Sequence, residues 1–212
     1  MVTSDLDIYS LFRDRTMVPQ QWFTTNLALA RSVREVPGAI VECGVWRGGM
    51  IAGIAMTVGA DRVYWLFDSF EGLPDAQPVD GPAAARWQAN TAGPYYYDNC
   101  TASEEEAAES MLIAGVPDVR IRKGWFEDTL PTADFAGGIA LLRLDGDWYA
   151  STRQALTMLF PRVNEGGIVI VDDYYTWDGC SRAVHEYLSE HSRPERIETM
   201  DGVCVIRKRA DG

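Results

Sequence analysis

The chain has 212 residues, 47% hydrophobic and 24% charged, with 19 Lys+Arg against 31 Asp+Glu for a formal charge of −12. That apolar fraction excludes a disordered chain, and the length suits one domain with a sizeable core. The acidic balance opposes binding to nucleic acid or anionic membranes, and every apolar run is too short or too broken to span a bilayer, which takes about 20 residues.

The opening residues Met1 to Asp5 lack the basic and apolar regions of a secretory signal. Cys43, Cys100, Cys180 and Cys204 are scattered without a C-x-x-C pair, so they read as free thiols, and the expected compartment is the cytoplasm. Phe23, Leu27, Ala30 and Val33 recur at helical spacing behind Pro19. Residues 1–38 are therefore expected to form a helical segment covering the core of a domain at 39–212.

Residues 39–43 read as a first strand, followed by a glycine-rich turn and a helix of small residues from Gly49 to Gly59. Further strands are predicted at 62–67, ending at Asp68, and at 119–122, 139–144 and 168–171, with helices at 152–160 and 181–191. The near-continuous apolar runs at 139–144 and 168–171 suit central parallel strands. Residues 197–199 and 203–207, around Asp201-Gly202, read as a closing hairpin. The alternation predicts a doubly wound α/β sheet, mostly parallel, with one antiparallel strand near its C-terminal end. Residues 74–102, rich in Pro, Gly and aromatics, interrupt the pattern as a lid-like insertion, the alternative being an aromatic flap or dimer contact. Ser103-Glu104-Glu105-Glu106 then fits a capping box.

In open α/β sheets, ligands bind outside the carboxyl ends of the strands. The first such end carries Glu42-Cys43-Gly44-Val45-Trp46-Arg47-Gly48-Gly49, which is neither G-x-G-x-x-G nor a P-loop. Asp68 ends the second strand, where an acid can accept both ribose hydroxyls, and with Glu42 it favours a nucleoside. A cap on the following turn is the alternative. Asp145 and Asp147 close one later strand, and Asp172 and Asp173 another. If those strands adjoin, the acids converge and call for a divalent cation, Mg2+ by the all-oxygen ligand set, or Mn2+ or Ca2+. The competing reading makes them helix caps near Ser151 and Cys180. Arg143 is expected to lie along its strand below the acids, with a carboxylate or carbonyl partner.

VECGVWRGG at 41–49, FDSFEGLP at 67–74, GWFEDTLP at 124–131, LDGDWY at 144–149 and VDDY at 171–174 resemble the macrocin O-methyltransferase family, whose members methylate sugar hydroxyls on antibiotics. The resemblance implies a Rossmann-like class I fold that uses S-adenosyl-L-methionine, with a Mg2+ site. It implies cofactor contacts at Thr16 and Met17, and a methionine cradle at Glu42, Cys43, Gly44, Val45 and Trp46. Asp68 and Ser69 would bind the ribose, and Ser103, Trp125, Phe126 and Asp128 would lie near the adenine. The ion would be held by Asp145, Asp172 and Asp173. Asp147 is the candidate general base, a role Asp145 could share, and Ser151 and Tyr174 are candidate substrate contacts. The expected partner is a small-molecule hydroxyl substrate, a sugar or similar vicinal diol of a secondary metabolite; a homodimer stays open. A catechol-type phenol is the alternative acceptor, disfavoured because Trp148 stands where catechol enzymes place a lysine. An NAD-dependent oxidoreductase lacks its glycine motif, and a non-catalytic nucleotide-binding protein would be expected to have lost some of the acids.

Overall fold

Ser4 opens the described chain, residues 4–210 of the computed structural model, as the cap of helix α1 (Asp5–Phe12). Its hydroxyl accepts the Asp7 N–H, and the Asp7 carboxylate accepts the Ser4 N–H, a reciprocal capping box. Residues 1–3, part of the 1–38 segment and of the Met1 to Asp5 opening, and residues 211–212 lie outside the described residues. Periodicity did not single out α1, since only Ile8 and Phe12 are buried. Helix α2 (Gln20–Ser32) follows Pro19, and Phe23, Leu27, Ala30 and the following Val33 are fully buried.

The elements then run β1 (Ala39–Cys43), α3 (Gly49–Val58), β2 (Tyr64–Asp68), α4 (Gly81–Ala89), a short turn α5 (Tyr97–Cys100), α6 (Glu104–Ile113) and β3 (Arg120–Lys123). After them come α7 (Phe126–Thr129), β4 (Ile139–Leu144), α8 (Tyr149–Leu159), β5 (Val163–Val171), α9 (Asp178–Glu190), β6 (Ile197–Met200) and β7 (Val203–Arg207). One seven-stranded sheet has the order β3-β2-β1-β4-β5-β7-β6, and β7 alone runs against the others. This is the expected doubly wound α/β sheet with a C-terminal antiparallel hairpin. The chain order reverses between β1 and β4, which opens a crevice at their carboxyl ends.

Two apolar layers cover the sheet. One joins α1, α2, α3 and α6 through Phe12, Phe23, Leu27, Ile51 and Met111; the other joins α8 and α9 through Leu156, Val184 and Tyr187. The small residues of α3 allow a close approach to α2. A Cβ added at Gly53 would stand 2.4 Å from the Phe23 ring. No helix among the described residues is long and apolar enough to cross a membrane.

Register places the site. Glu42 of β1 lies opposite Arg143 of β4, and Leu144 lies opposite Val171 of β5. The acids that follow Leu144 and Val171 therefore emerge side by side. Strand β5 starts earlier than the apolar run 168–171, because Val163 pairs with Ile139 before a register shift.

The 74–102 insertion is more ordered than a loop. It contains a 3-10 turn (Pro78–Asp80), α4 and the four-residue turn α5, in which Tyr97, Asp98, Asn99 and Cys100 all have positive φ, from 48° to 62°. Asn99 ties this turn to the chain before it: its Nδ2 donates to the Leu73 carbonyl (2.8 Å) and its own carbonyl accepts the Leu73 N–H (3.0 Å). Asp80 is buried, and its Oδ1 accepts the N–H of Tyr149 (2.7 Å), the first residue of α8, while Oδ2 accepts the Gln77 N–H (2.8 Å). The insertion thus caps α8 from outside that helix, and Ser151 lies within the helix rather than at its cap. Asp80→Ala should lower stability by about 1 kcal/mol, the usual cost of losing an N-terminal cap. Urea unfolding monitored by circular dichroism checks this through a lowered midpoint at unchanged slope.

Candidate active site

The glycine-rich turn after β1 is built around Asp68. Its Oδ2 accepts the N–H groups of Val45 (2.6 Å) and Trp46 (2.9 Å), and its Oδ1 accepts that of Phe70 (2.7 Å). Burial pushes the Asp68 carboxyl up, and these three backbone donors oppose the shift. Gly44 makes the turn feasible. With φ of +85°, it lies so near β4 that a Cβ would stand 1.8 Å from the Asp145 carbonyl oxygen. Only glycine accommodates both demands.

A cavity of about 520 Å³ opens beside this turn. Of the residues singled out for a cofactor, Met17, Gly44, Trp46, Asp68, Ser69, Trp125 and Phe126 line it; Thr16, Glu42, Cys43, Val45, Ser103 and Asp128 do not. Thr16 accepts the Val18 N–H, and Ser103 caps α6 through the capping box read from the sequence. Asp145, Asp147 and Ser151 also line the cavity, whereas the Tyr174 hydroxyl meets Nε2 of His185 (2.8 Å) away from it. Pro74 and Cys100, from the lid-like 74–102 stretch, complete parts of the wall, as does Gln154, which was not foreseen, since nothing local marks a residue that only the fold brings to a cavity.

Arg143 does not stay below the acids, as expected, but reaches up into them. Side chains two apart on a strand share a face, so Arg143 and Asp145 point the same way. The fully buried guanidinium donates to Glu42 Oε1 (2.9 Å) and Asp145 Oδ2 (2.6 Å), and also to Asp172 Oδ1. Its Nε faces Asn26 Oδ1 on α2 (3.3 Å). The acids do not cap the helices near Ser151 and Cys180: α8 is capped by Asp80, and α9 has no side-chain cap.

Asp172 is thus turned toward Arg143. Asp145, Asp147 and Asp173 instead offer carboxylate oxygens that all lie within 4.8 Å of one another. This grouping differs in one member from the expected Asp145, Asp172 and Asp173. Asp147 adopts a left-handed backbone (φ 56°), which aims its N–H at Asp173 Oδ2 (3.1 Å). Neither Asp147 nor Asp173 makes an ion pair with a cationic side chain among the described residues. Three hard oxygen donors in one small volume suit a divalent cation such as Mg2+.

The electrostatics carry the same message. Burial, then the charge of Asp145, pushes the Asp147 carboxyl up to about 8. Asp173 is also pushed up, by burial and then by Asp147 and Asp145. Burial raises Glu42 to about 8 and Asp172 to about 6, in each case against the pull of Arg143. The second oxygen of Glu42, Oε2, is buried without a hydrogen-bond partner among the described residues.

Residues 13–209 match the family described as Macrocin-O-methyltransferase (TylF). The chain is 41% identical over 174 residues to demethyldecarbamoylnovobiocin O-methyltransferase of Streptomyces niveus, covering 78% of this chain and 64% of that protein. It is 37% identical over 182 residues to mycinamicin III 3''-O-methyltransferase of Micromonospora griseorubida, covering 82% of this chain and 70% of the relative. It thus spans about two thirds of the length of these relatives. The solved structure of the O-methyltransferase NovP superposes with a TM-score of 0.78 at 34% identity, covering 92% of this chain and 83% of that one.

The raised carboxyls predict a pH dependence. A carboxyl whose pKa is higher in the folded chain stabilises the fold fully below its unfolded value, near pH 4, and loses that contribution as pH rises through its folded value. For Asp172 and then Asp147 and Glu42, that loss runs through about pH 6 and about pH 8. In a chelator, the melting temperature should therefore fall between about pH 5.5 and pH 8.5. Differential scanning calorimetry across that range checks the direction.

Proposed function

Because the chain belongs to the macrocin O-methyltransferase family, we propose that it transfers the methyl group of S-adenosyl-L-methionine to a hydroxyl of a small molecule, a sugar or similar vicinal diol of a secondary metabolite, with Mg2+ at the acidic cluster. The observation that carries this reading is the convergence of Asp145, Asp147 and Asp173 at the rim of the cavity beside Gly44. The cavity volume is in the range of pockets that enclose a cofactor-sized ligand. Its acidic rim matches two cations, a sulfonium and a metal ion.

Asp145 and Asp173 would hold the ion, Asp145 being oriented by the guanidinium on its Oδ2. An ion held there would supply Lewis acidity that lowers the pKa of the acceptor hydroxyl. Asp147 lines the cavity and, unlike Asp145, receives no guanidinium, so it serves as the proton acceptor. The hydroxyl oxygen gains the methyl carbon as the carbon–sulfur bond breaks, and the electron pair stays on sulfur. Trp46, Met17 and Phe126 wall the cavity with apolar surface that excludes water from this exchange. Ser151, on the same wall, is the substrate-contact candidate; Tyr174, bonded to His185, would need to turn to reach the acceptor.

Calorimetric titration with S-adenosylhomocysteine, with and without Mg2+, tests the cofactor assignment, and absence of binding would defeat it. A mass-spectrometric screen of deoxysugar glycosides and catechols for products heavier by one CH2 identifies the acceptor. With that acceptor, Asp147→Asn should lower turnover by about a hundredfold or more, the usual contribution of a general base, a larger factor than its loss of Mg2+ affinity. Asp173→Asn should weaken Mg2+ binding by well over about tenfold. An equal loss of metal affinity in both variants would make Asp147 a ligand instead.

A further inference from the structure

Three indoles meet beneath the insertion. Trp148 follows the β4 acids, Trp177 precedes α9, and Trp87 projects from α4. Their rings pack edge to face, with centroids 5.3 Å apart for Trp148–Trp177, 6.1 Å for Trp87–Trp177 and 6.2 Å for Trp87–Trp148. Two of the three N–H groups are spent on the insertion's own backbone: Trp148 donates to the Pro74 carbonyl (2.9 Å) and Trp87 to the Tyr95 carbonyl (3.1 Å). The third goes elsewhere. Trp177 Nε1 donates to Asp147 Oδ1 (2.9 Å), and the Trp177 backbone N–H is anchored on the Asp173 carbonyl (3.0 Å).

We infer that Trp177 is a positioning residue that links docking of the 74–102 insertion to the placement of Asp147 and, through the Asp147 N–H, of the ion-holding Asp173, an inference that rests on the Mg2+ reading above. An indole N–H can only donate, so it fixes the carboxylate without competing for a cation. Asp147 is then held at two points, its Oδ1 by Trp177 and its N–H by Asp173 Oδ2. The ring that supplies the first of these holds is the ring on which Trp87 of the insertion rests. Linkage between two sites is reciprocal: if the docked insertion favours the ion, the ion must favour the docked insertion by the same factor.

The test uses the full chain with Mg2+ alone, measuring affinity by calorimetry and amide hydrogen exchange across residues 81–100. In the wild-type protein, Mg2+ should slow exchange in that segment. Trp177→Phe, which keeps an aromatic ring and removes the donor, should weaken Mg2+ binding by about tenfold, as loss of a hydrogen bond that orients a metal site does, and should abolish the slowing. Trp87→Ala removes the ring that packs on Trp148, Trp177 and Tyr96, together with its N–H bond to the Tyr95 carbonyl, and it should weaken Mg2+ binding as well. A purely structural role for either tryptophan would leave Mg2+ affinity unchanged while the melting temperature moves. Wild-type Mg2+ affinity in either variant, or exchange at 81–100 indifferent to Mg2+ in the unmodified chain, overturns the inference alone. A wild-type protein that binds no Mg2+ overturns the metal reading and the inference together.

Discussion

A single buried guanidinium stands under five carboxyl groups, and much of the rest of the site follows from that imbalance. Arg143 pairs with Glu42, Asp145 and Asp172, but it carries only one positive charge. Asp147 and Asp173 share none of it directly. Charges withdrawn from water must be paired, neutralised by protons or joined by another cation. The raised Asp147 and Asp173 carboxyls show the proton solution, and their clustered oxygens show room for the cation solution. Through Asn26, the same guanidinium also ties α2 to the centre of the sheet.

The sheet topology makes this concentration of charge feasible. β1, β4 and β5 are neighbours, so three strand ends that are far apart in sequence deliver their acids to one rim. Gly44 allows the first turn to pass within contact distance of Asp145, and Asp68 holds that turn through two backbone bonds, from Val45 and Trp46. The insertion then closes over the rim, caps α8 with Asp80 and rests on the indoles. Scaffold and site share the same residues.

Legibility from sequence followed the range of the interaction. The strands at 39–43, 139–144 and 203–207 were read with their observed limits, because strands covered by apolar layers carry continuous hydrophobic runs. The Ser103 capping box was legible because it closes within three residues. The two acidic strand ends were also visible, and their adjacency followed once the sheet was doubly wound. Which acids face one another was not, since that depends on where Arg143 points and on the left-handed backbone of Asp147. The tryptophan triangle and the Asp80 cap join residues 29 to 90 positions apart in sequence (Trp148 to Trp177 and Trp87 to Trp177, with Asp80 to Tyr149 between), and no local pattern announces such contacts. The helix α4 was hidden inside a Pro- and Gly-rich stretch that reads as loop.

The run of left-handed residues from Tyr97 to Cys100 bears on how this chain can diversify. Outside glycine, each such residue costs about 1–2 kcal/mol, least for Asn and Asp, which hold the middle two positions here. Branched side chains are barred from that stretch, while glycine enters freely. Because Cys100 forms part of the cavity wall, the genetic drift open to the wall is filtered by backbone handedness before any acceptor is consulted. Lineages that broaden their repertoire would do so first by exchanging residues at the flanks of this turn, leaving its handed centre intact.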